Sequence, residues 1–320
     1  MRKNPEIPMA KSKKPKRNSS GSKKGGSLKV NIKKAVAGLF ILLVLVIGAG
    51  FFANYYIFKK PPEKKEPVSK QPVFEVYPKV EEPSAKTPLI AIKQPAGSLP
   101  KVAIIIDDLG YNNDLANNYL ELDAAFTFSV LPFSPYQKNI ATAAHNKGIE
   151  IMLHLPMEPD QYPEVSPGPG ALITSMSPDQ LISQLNKDLD DIPFIKGINN
   201  HMGSKMTAID TQMYQIFSVL KKKGLYFVDS RTTAKTLCKP SARLLKIPFA
   251  ERDIFLDHVQ DPEHIRGQIN KLVELAGKYG GAVAIIHPYP ETYQVIREML
   301  PSLKQKINLV PASAIVSEIS

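Results

Sequence analysis

Lys101-Val-Ala-Ile-Ile-Ile-Asp107-Asp108 is the stretch whose reading decides the fold. A run of five apolar residues ends abruptly in two adjacent carboxylates. Val102 to Ile106 read as a strand buried on both faces, because a half-exposed strand would alternate apolar with polar residues. Strands of that kind belong to parallel sheets or barrels, where ligands gather at the strand carboxyl ends. Two carboxylates at that edge are costly to bring together unless a cation or a proton relieves them. Capping of the next helix is the plain alternative, but one Asp would suffice for that. The expectation from this stretch is a metal-assisted site.

Outward from it, residues 99–320 alternate apolar strand patterns with amphipathic helices. Strands are expected at Lys101–Ile106, Phe126–Leu131, Glu150–Leu155, Ile195–Asn199, Leu225–Val228, Ile254–Leu256, Ala282–Ile286 and Ile307–Val310. Helices are expected near 113–122, 135–147, 178–191, 210–223, 262–279 and 291–300. The third has an explicit start, with Ser177 as N-cap, Pro178 at the first helical position and Gln180 completing a capping box. Strand–helix alternation argues for an α/β domain with a parallel sheet. Seven or eight units exceed the usual open sheet and favour closure into a (β/α) barrel, expected to be seven-stranded and irregular.

Nearly every apolar run is followed by a residue able to bind a metal or move a proton. Asp107 and Asp108 follow the first, and His154 lies in the third. Asn199, Asn200 and His201 follow the fourth, Asp229, Ser230 and Arg231 the fifth, Asp257 and His258 the sixth, and His287 the seventh. In a barrel all would converge on one face. Taken singly, His154 reads as a satisfied core histidine as readily as a ligand. Taken together, one Asp and two His offer a mixed nitrogen and oxygen set suited to Zn2+ or another transition metal. His145 and His264 lie away from the strand ends and read as surface residues, and Met202 and Met206 as packing.

The chain carries a net charge of +11, but residues 1–34 hold 12 Lys/Arg against one Glu, and the remainder is neutral. No basic patch with interleaved aromatics remains outside the tail, so nucleic acid is not an expected partner. Ala35 to Phe58 form 24 residues without charge, long enough at ~1.5 Å per residue to span a ~30 Å hydrocarbon core. Lys33 and Lys34 before this run place the N-terminus in the cytoplasm. A cleaved signal peptide is the rival, although its apolar core would be ~7–15 residues. The expected organisation is a basic cytoplasmic tail (1–34), a transmembrane anchor (35–58), a Pro/Lys/Glu-rich linker (59–98) and the barrel domain (99–320). A single cysteine, Cys238, excludes an intramolecular disulfide.

Five motifs together resemble the divergent polysaccharide deacetylase family of bacterial envelope proteins. They are Ile104-Ile-Ile-Asp107-Asp108-Leu-Gly110, Glu150-Ile-Met-Leu-His154-Leu-Pro-Met-Glu158, Asn199-Asn-His201-Met-Gly-Ser204, Phe227-Val-Asp229-Ser-Arg231 and Ile285-Ile-His287-Pro288. The resemblance covers nearly all of residues 99–320. It implies a metal-dependent hydrolase removing acyl groups from an envelope polysaccharide or peptidoglycan-type glycan, with one divalent metal, most simply Zn2+. It further implies Asp107 as general base, Asp108 and His154 as ligands and His287 as general acid. The broader superfamily has a second His four residues after the first, where this chain has Glu158. Either Glu158 or His201 would then complete the site, and His201 is favoured because His is the commoner transition-metal ligand. Asp257 or Asp253 could orient His287, and Arg231 could hold Asp107 ionised or bind substrate. Asn200 and Asp229 are further candidates for support or substrate binding. The implied location is the bacterial inner membrane, single-pass, with the C-terminal domain periplasmic.

Two other classes stay open on the residues. A non-catalytic carbohydrate-binding or envelope-interaction module could keep the barrel without turnover, with Tyr111, Phe133, Tyr136 and Tyr162 as sugar platforms. A Mg2+-dependent phosphoryl-transfer enzyme could also use an aspartate pair. Against it, no Gly-rich phosphate loop appears, and three strand-end His exceed what Mg2+ uses.

Overall fold

The two faces of one strand organise the domain. In this computed structural model, which describes residues 32–53 and 97–319, Lys101–Leu109 forms β1. Side chains alternate along a strand, so Val102, Ile104 and Ile106 pack into the larger core beneath the helices. Ala103 and Ile105 point the other way, into a smaller cluster with Met152, Tyr226, Val228, Phe255, Val283 and Ile285. None of Val102 to Ile106 is more than 1% exposed, as expected of a strand covered on both sides.

The chain divides into two units, Met1–Glu66 and Pro67–Ser320. In the first, Ile32–Ala53 is a single 22-residue helix, α1. Val36 and Phe40 to Ile47 are exposed along it. Counted over the described residues, no helix is long and apolar enough to cross a membrane. The basic tail up to residue 31, and the linker up to residue 96, lie outside the described residues.

In the second unit β1 is followed by α2 (Asn113–Leu120), β2 (Thr127–Val130), α3 (Gln137–Asn146), β3 (Glu150–Met157), α4 (Pro178–Asp191) and β4 (Ile195–Met202). Then come α5 (Asp210–Lys223), β5 (Tyr226–Asp229), α6 (Cys238–Leu245), β6 (Phe249–Glu251) and β7 (Ile254–Phe255). The chain continues through α7 (Pro262–Tyr279), β8 (Gly281–Ile286), α8 (Pro290–Leu303) and β9 (Asn308–Leu309). α4 begins with the expected capping box, Ser177 and Gln180 each accepting a backbone N–H of the other.

All named strands pair in parallel, in the order β6-β5-β4-β3-β2-β1-β8-β7, with β9 against the start of β1. The architecture is a parallel-strand α/β half-barrel, consistent with a (β/α) barrel. Its two outermost strands are consecutive in the chain. Between them the Arg252 N–H donates to Asp229 O and the Asp253 N–H to Val283 O, both at 2.9 Å. One segment thus hydrogen-bonds to β5 with its first half and to β8 with its second. The sequence reading expected a single sixth strand at Ile254–Leu256 and missed both β6 and α6. A three-residue strand has no period to detect, and Lys239-Pro-Ser reads as a helix breaker. Pro240 is tolerated because it lies in the first turn, where its missing N–H costs nothing. Other strands run further than expected, β1 through Asp107–Leu109 and β4 through Asn200–Met202.

The loop after β1 is stitched to the loop after β2. Leu131 N donates to Leu109 O at 2.8 Å, Tyr136 N to Gly110 O at 2.9 Å, and Ser134 Oγ to Leu131 O at 2.7 Å. Gly110 sits at φ +134°, and a Cβ there would meet Ser134 Oγ at 1.9 Å. Gly110→Ala is therefore expected to destabilise the domain by roughly 3 kcal/mol, combining strain with overpacking. Urea unfolding of residues 99–320 measures it, and a midpoint equal to wild type would mean the two loops are not held together here.

Candidate metal centre

Strand parity delivers the polar groups. Asp107 continues the inward series of Ala103 and Ile105, and His287 continues that of Val283 and Ile285. His154 follows Met152 and stands opposite Asn199 in the β3–β4 register. Asn199 and His201 share a face of β4, and Asn200 between them lies on the other. Asp108 should by parity turn toward the helices. It does not, because its backbone adopts φ +55°, a left-handed conformation uncommon for a non-glycine residue. Met202 (+53°), the last residue of β4, and Arg231 (+52°), just past β5, make the same turn.

Three ligand atoms converge. Asp108 Oδ1 lies 2.9 Å from His201 Nδ1 and 3.1 Å from His154 Nε2, and the two ring nitrogens are 3.1 Å apart. All three residues are buried, and among the described residues theirs is the group of three or more that could hold a metal ion. The two ring nitrogens are placed to share a hydrogen bond, whereas the two contacts to Asp108 have the distance without the geometry, and neither Asp108 oxygen, nor His201 Nε2, has a hydrogen-bond partner of good geometry. Buried carboxylate oxygens are rarely left so. Atoms bound to one ion at about 2.0–2.1 Å lie about 3 Å from each other. A cation therefore fits both the spacing and the orphaned charge.

The rings are held from behind. Asn199 Oδ1 lies 2.8 Å from His154 Nδ1 and accepts from Ser129 Oγ at 2.6 Å, while Asn199 Nδ2 donates to Asp107 Oδ1 at 2.7 Å. Across the site, Asp257 accepts from the His287 N–H at 2.6 Å and Thr292 Oγ1 at 3.0 Å, and pairs with His287 Nδ1 at 2.9 Å. His287 Nε2 is then 3.8 Å from Asp108 Oδ2, and Asp107 Oδ2 is 3.7 Å from His154 Nε2. The Phe255 ring stacks near that of His287, at 5.9 Å between centroids.

Burial and charge set the protonation states. Burial pushes the Asp107 carboxyl up, against the opposing pull of His154 and His287. Burial also opposes ionisation of Asp108, but the positive charge of His201 together with His154 outweighs it and holds that carboxyl well below its usual range. His287 is disfavoured as a cation by burial, yet the Asp257 carboxylate, with Asp108 and Asp107 beyond it, raises it to about 9.

The remaining expected site residues are engaged elsewhere. Glu158 is not in the ligand group: its carboxylate accepts from Lys205 Nζ at 2.6 Å and from the Thr174 N–H. Arg231 does not face Asp107: its guanidinium pairs with Glu251 at 2.5 Å. Asp229 is buried and braces its own loop, accepting from Arg231 N at 2.7 Å and Thr236 Oγ1 at 2.8 Å. Asn200 does likewise, donating to Met202 O at 2.8 Å and accepting from Ser230 N at 2.9 Å. Asp253 accepts from Val283 N at 2.7 Å, leaving Asp257 as the partner of His287. Among the site residues, Asn199 was read only as one of the polar residues ending the fourth strand, without a role of its own, and Ser129 and Thr292 were passed over. Period-two parity would have assigned Asn199 to the site, two positions before His201. Thr292 carried no signal. His145 stacks on Phe194 at 3.9 Å, and His258 meets His264 edge-on at 4.5 Å, both away from the centre.

A family model described as divergent polysaccharide deacetylase matches residues 104–316. The uncharacterized protein YibQ of Escherichia coli is 37% identical over 232 residues, 72% of this chain and 71% of that protein. An uncharacterized protein of Haemophilus influenzae is 31% identical over 210 residues, 66% of this chain and 74% of that one. Among solved structures, an uncharacterized protein of Agrobacterium tumefaciens superposes with a TM-score of 0.66 at 23% identity, covering 71% of this chain and 93% of that one, which speaks to fold alone. Matched across most of its described C-terminal unit, the chain belongs to the divergent polysaccharide deacetylase family.

Proposed function

We propose that this protein is a metal-dependent deacetylase acting on an acylated envelope glycan, tethered to the inner membrane with its C-terminal domain in the periplasm. The observation that carries the reading is the buried triangle of Asp108, His154 and His201, with Asp107 on one side and an Asp257-backed His287 on the other. Zn2+ suits one carboxylate and two imidazoles with positions left open. When bound, such an ion supplies Lewis acidity toward an acyl carbonyl and eases deprotonation of water. Asp107 Oδ2 is the acceptor for the proton of the attacking water, in a carboxylate whose basicity burial raises. His287 holds a proton at Nε2 and delivers it to the leaving amine or alkoxide, its ring oriented by Asp257 at Nδ1. Membrane attachment is read from the sequence, in the uncharged run of residues 35–58 that follows a basic tail.

A second reading, glycan binding without turnover, is favoured by Phe133, Tyr136 and Tyr162, which are 42%, 42% and 37% exposed. The two readings part on acetate release from acetylated glycan oligomers. Asp107→Asn should retain about one equivalent of zinc and lose activity by ~10²–10⁴-fold, whereas Asp108→Ala should lose the zinc as well. Full metal and full activity in Asp108→Ala would sink the hydrolase reading, and glycan binding that persists with no acetate release would favour the binding module.

His287 adds a dependence on pH in the metal-free protein. A folded-state value of about 9, against an ordinary ~6.5, contributes stability that is complete below pH ~6.5 and is lost as pH rises through 9. The stability gap between wild type and His287→Gln, from urea midpoints at pH 6 to 10, should shrink by about 3 kcal/mol across that window. A gap that stays constant would mean His287 is neutral in the fold.

A further inference from the structure

We propose that Asn199 is a positioning residue that joins the ligand His154 to the base Asp107, fixing the imidazole in the tautomer whose unprotonated Nε2 faces the metal centre. The inference rests on the metal-hydrolase reading above and assigns the element that makes its ligand and its base one unit.

The argument starts from the valences of an amide. Asn199 is fully buried, so its oxygen and its NH2 must each be satisfied inside the protein. The NH2 can only donate, and it faces a carboxylate oxygen, Asp107 Oδ1, at 2.7 Å. The amide oxygen is thereby turned to His154 Nδ1 at 2.8 Å and to Ser129 Oγ at 2.6 Å. That oxygen carries no hydrogen, so Nδ1 must supply one. In a neutral imidazole the other nitrogen is then unprotonated, and Nε2 of His154 is the atom beside Asp108 and His201. An aspartate at 199 could still accept from Nδ1 but would set a second carboxylate against Asp107. An alanine would leave both neighbours unpaired. Among small side chains, the amide alone meets both with one planar group.

A residue that merely filled space would not discriminate between these replacements, and the test uses that difference. In metal-free protein at alkaline pH, ¹⁵N NMR of the His154 ring should report the proton on Nδ1 in wild type and in Asn199→Asp, and a mixture of tautomers in Asn199→Ala. In calorimetric zinc titration, Asn199→Ala should bind ~10–100-fold more weakly than wild type. Asn199→Asp should stay within about threefold of wild type while losing acetate release, because two carboxyls this close share a proton and Asp107 is no longer free to take one up. Ser129→Ala, which removes only the second donor to the amide oxygen, should keep both the tautomer and the zinc affinity. A wild-type ring protonated on Nε2 would overturn the proposal, as would an Asn199→Asp protein that loses zinc as badly as Asn199→Ala. If wild type takes up no zinc, the metal reading fails, and the tautomer measurement still decides the role of Asn199.

Discussion

A carboxylate buried against two imidazoles is the constraint around which this domain is arranged. Moving an isolated carboxylate out of water costs several kcal/mol unless an opposite charge meets it. Asp108 is met by two imidazoles, and its backbone is forced into a left-handed turn to get there. Such a turn costs ~1–3 kcal/mol and persists only where the surroundings over-determine it. The surroundings here are the double-faced strand behind it, the close-packed glycine after it and the neighbouring loop that hydrogen-bonds to both. The strain, the burial and the two imidazole contacts all concern one residue.

The same accounting separates the polar residues that ring the strand ends. Glu158, Glu251, Asp229 and Asn200 each have their oxygens or N–H groups taken up by a lysine, an arginine, a hydroxyl or the backbone of a neighbouring loop. These groups brace the rim. Asp108 and His201 have atoms that nothing in the chain satisfies, and they lie at the convergence point. In the sequence Glu158 stood as the alternative third ligand to the favoured His201. What removed it is a strand register that carries it past the centre, to where Lys205 and the Thr174 amide are waiting.

Most of the architecture could be read before any coordinates, because a strand buried on both faces writes itself as an uninterrupted apolar run, and such runs recur here at regular intervals. The ends of α4, α5 and α7 were legible to the residue, through a capping box at one and apolar periodicity at the others. α6 was not, since an eight-residue helix with proline in its first turn resembles a loop. At the site, Asp107, Asp108, His154, His201 and His287 were visible as polar interruptions of apolar runs. Asn199 stood among them without a role, and choosing Asp257 over Asp253 as the partner of His287 required knowing how β7 and β8 pair. The pairing of Arg231 with Glu251 was hidden because β6 is too short to announce itself.

The divided strand at residues 249–257 has a consequence for how the two halves of the site come into being. The ligand triangle draws on β1, β3 and β4, and β1 pairs with β8 over six residues and β3 with β4 over seven. The Asp257–His287 pair instead depends on the segment that spans β5 and β8, held by only a few backbone hydrogen bonds on either side. Short pairings at the seam of a parallel sheet are the first to open. On the hydrolase reading proposed above, a molecule opening at that seam would keep the Asp108–His154–His201 triangle and lose the alignment of His287. Binding and turnover would then answer to different parts of the same fold, and a lineage could surrender the second while the first stayed intact.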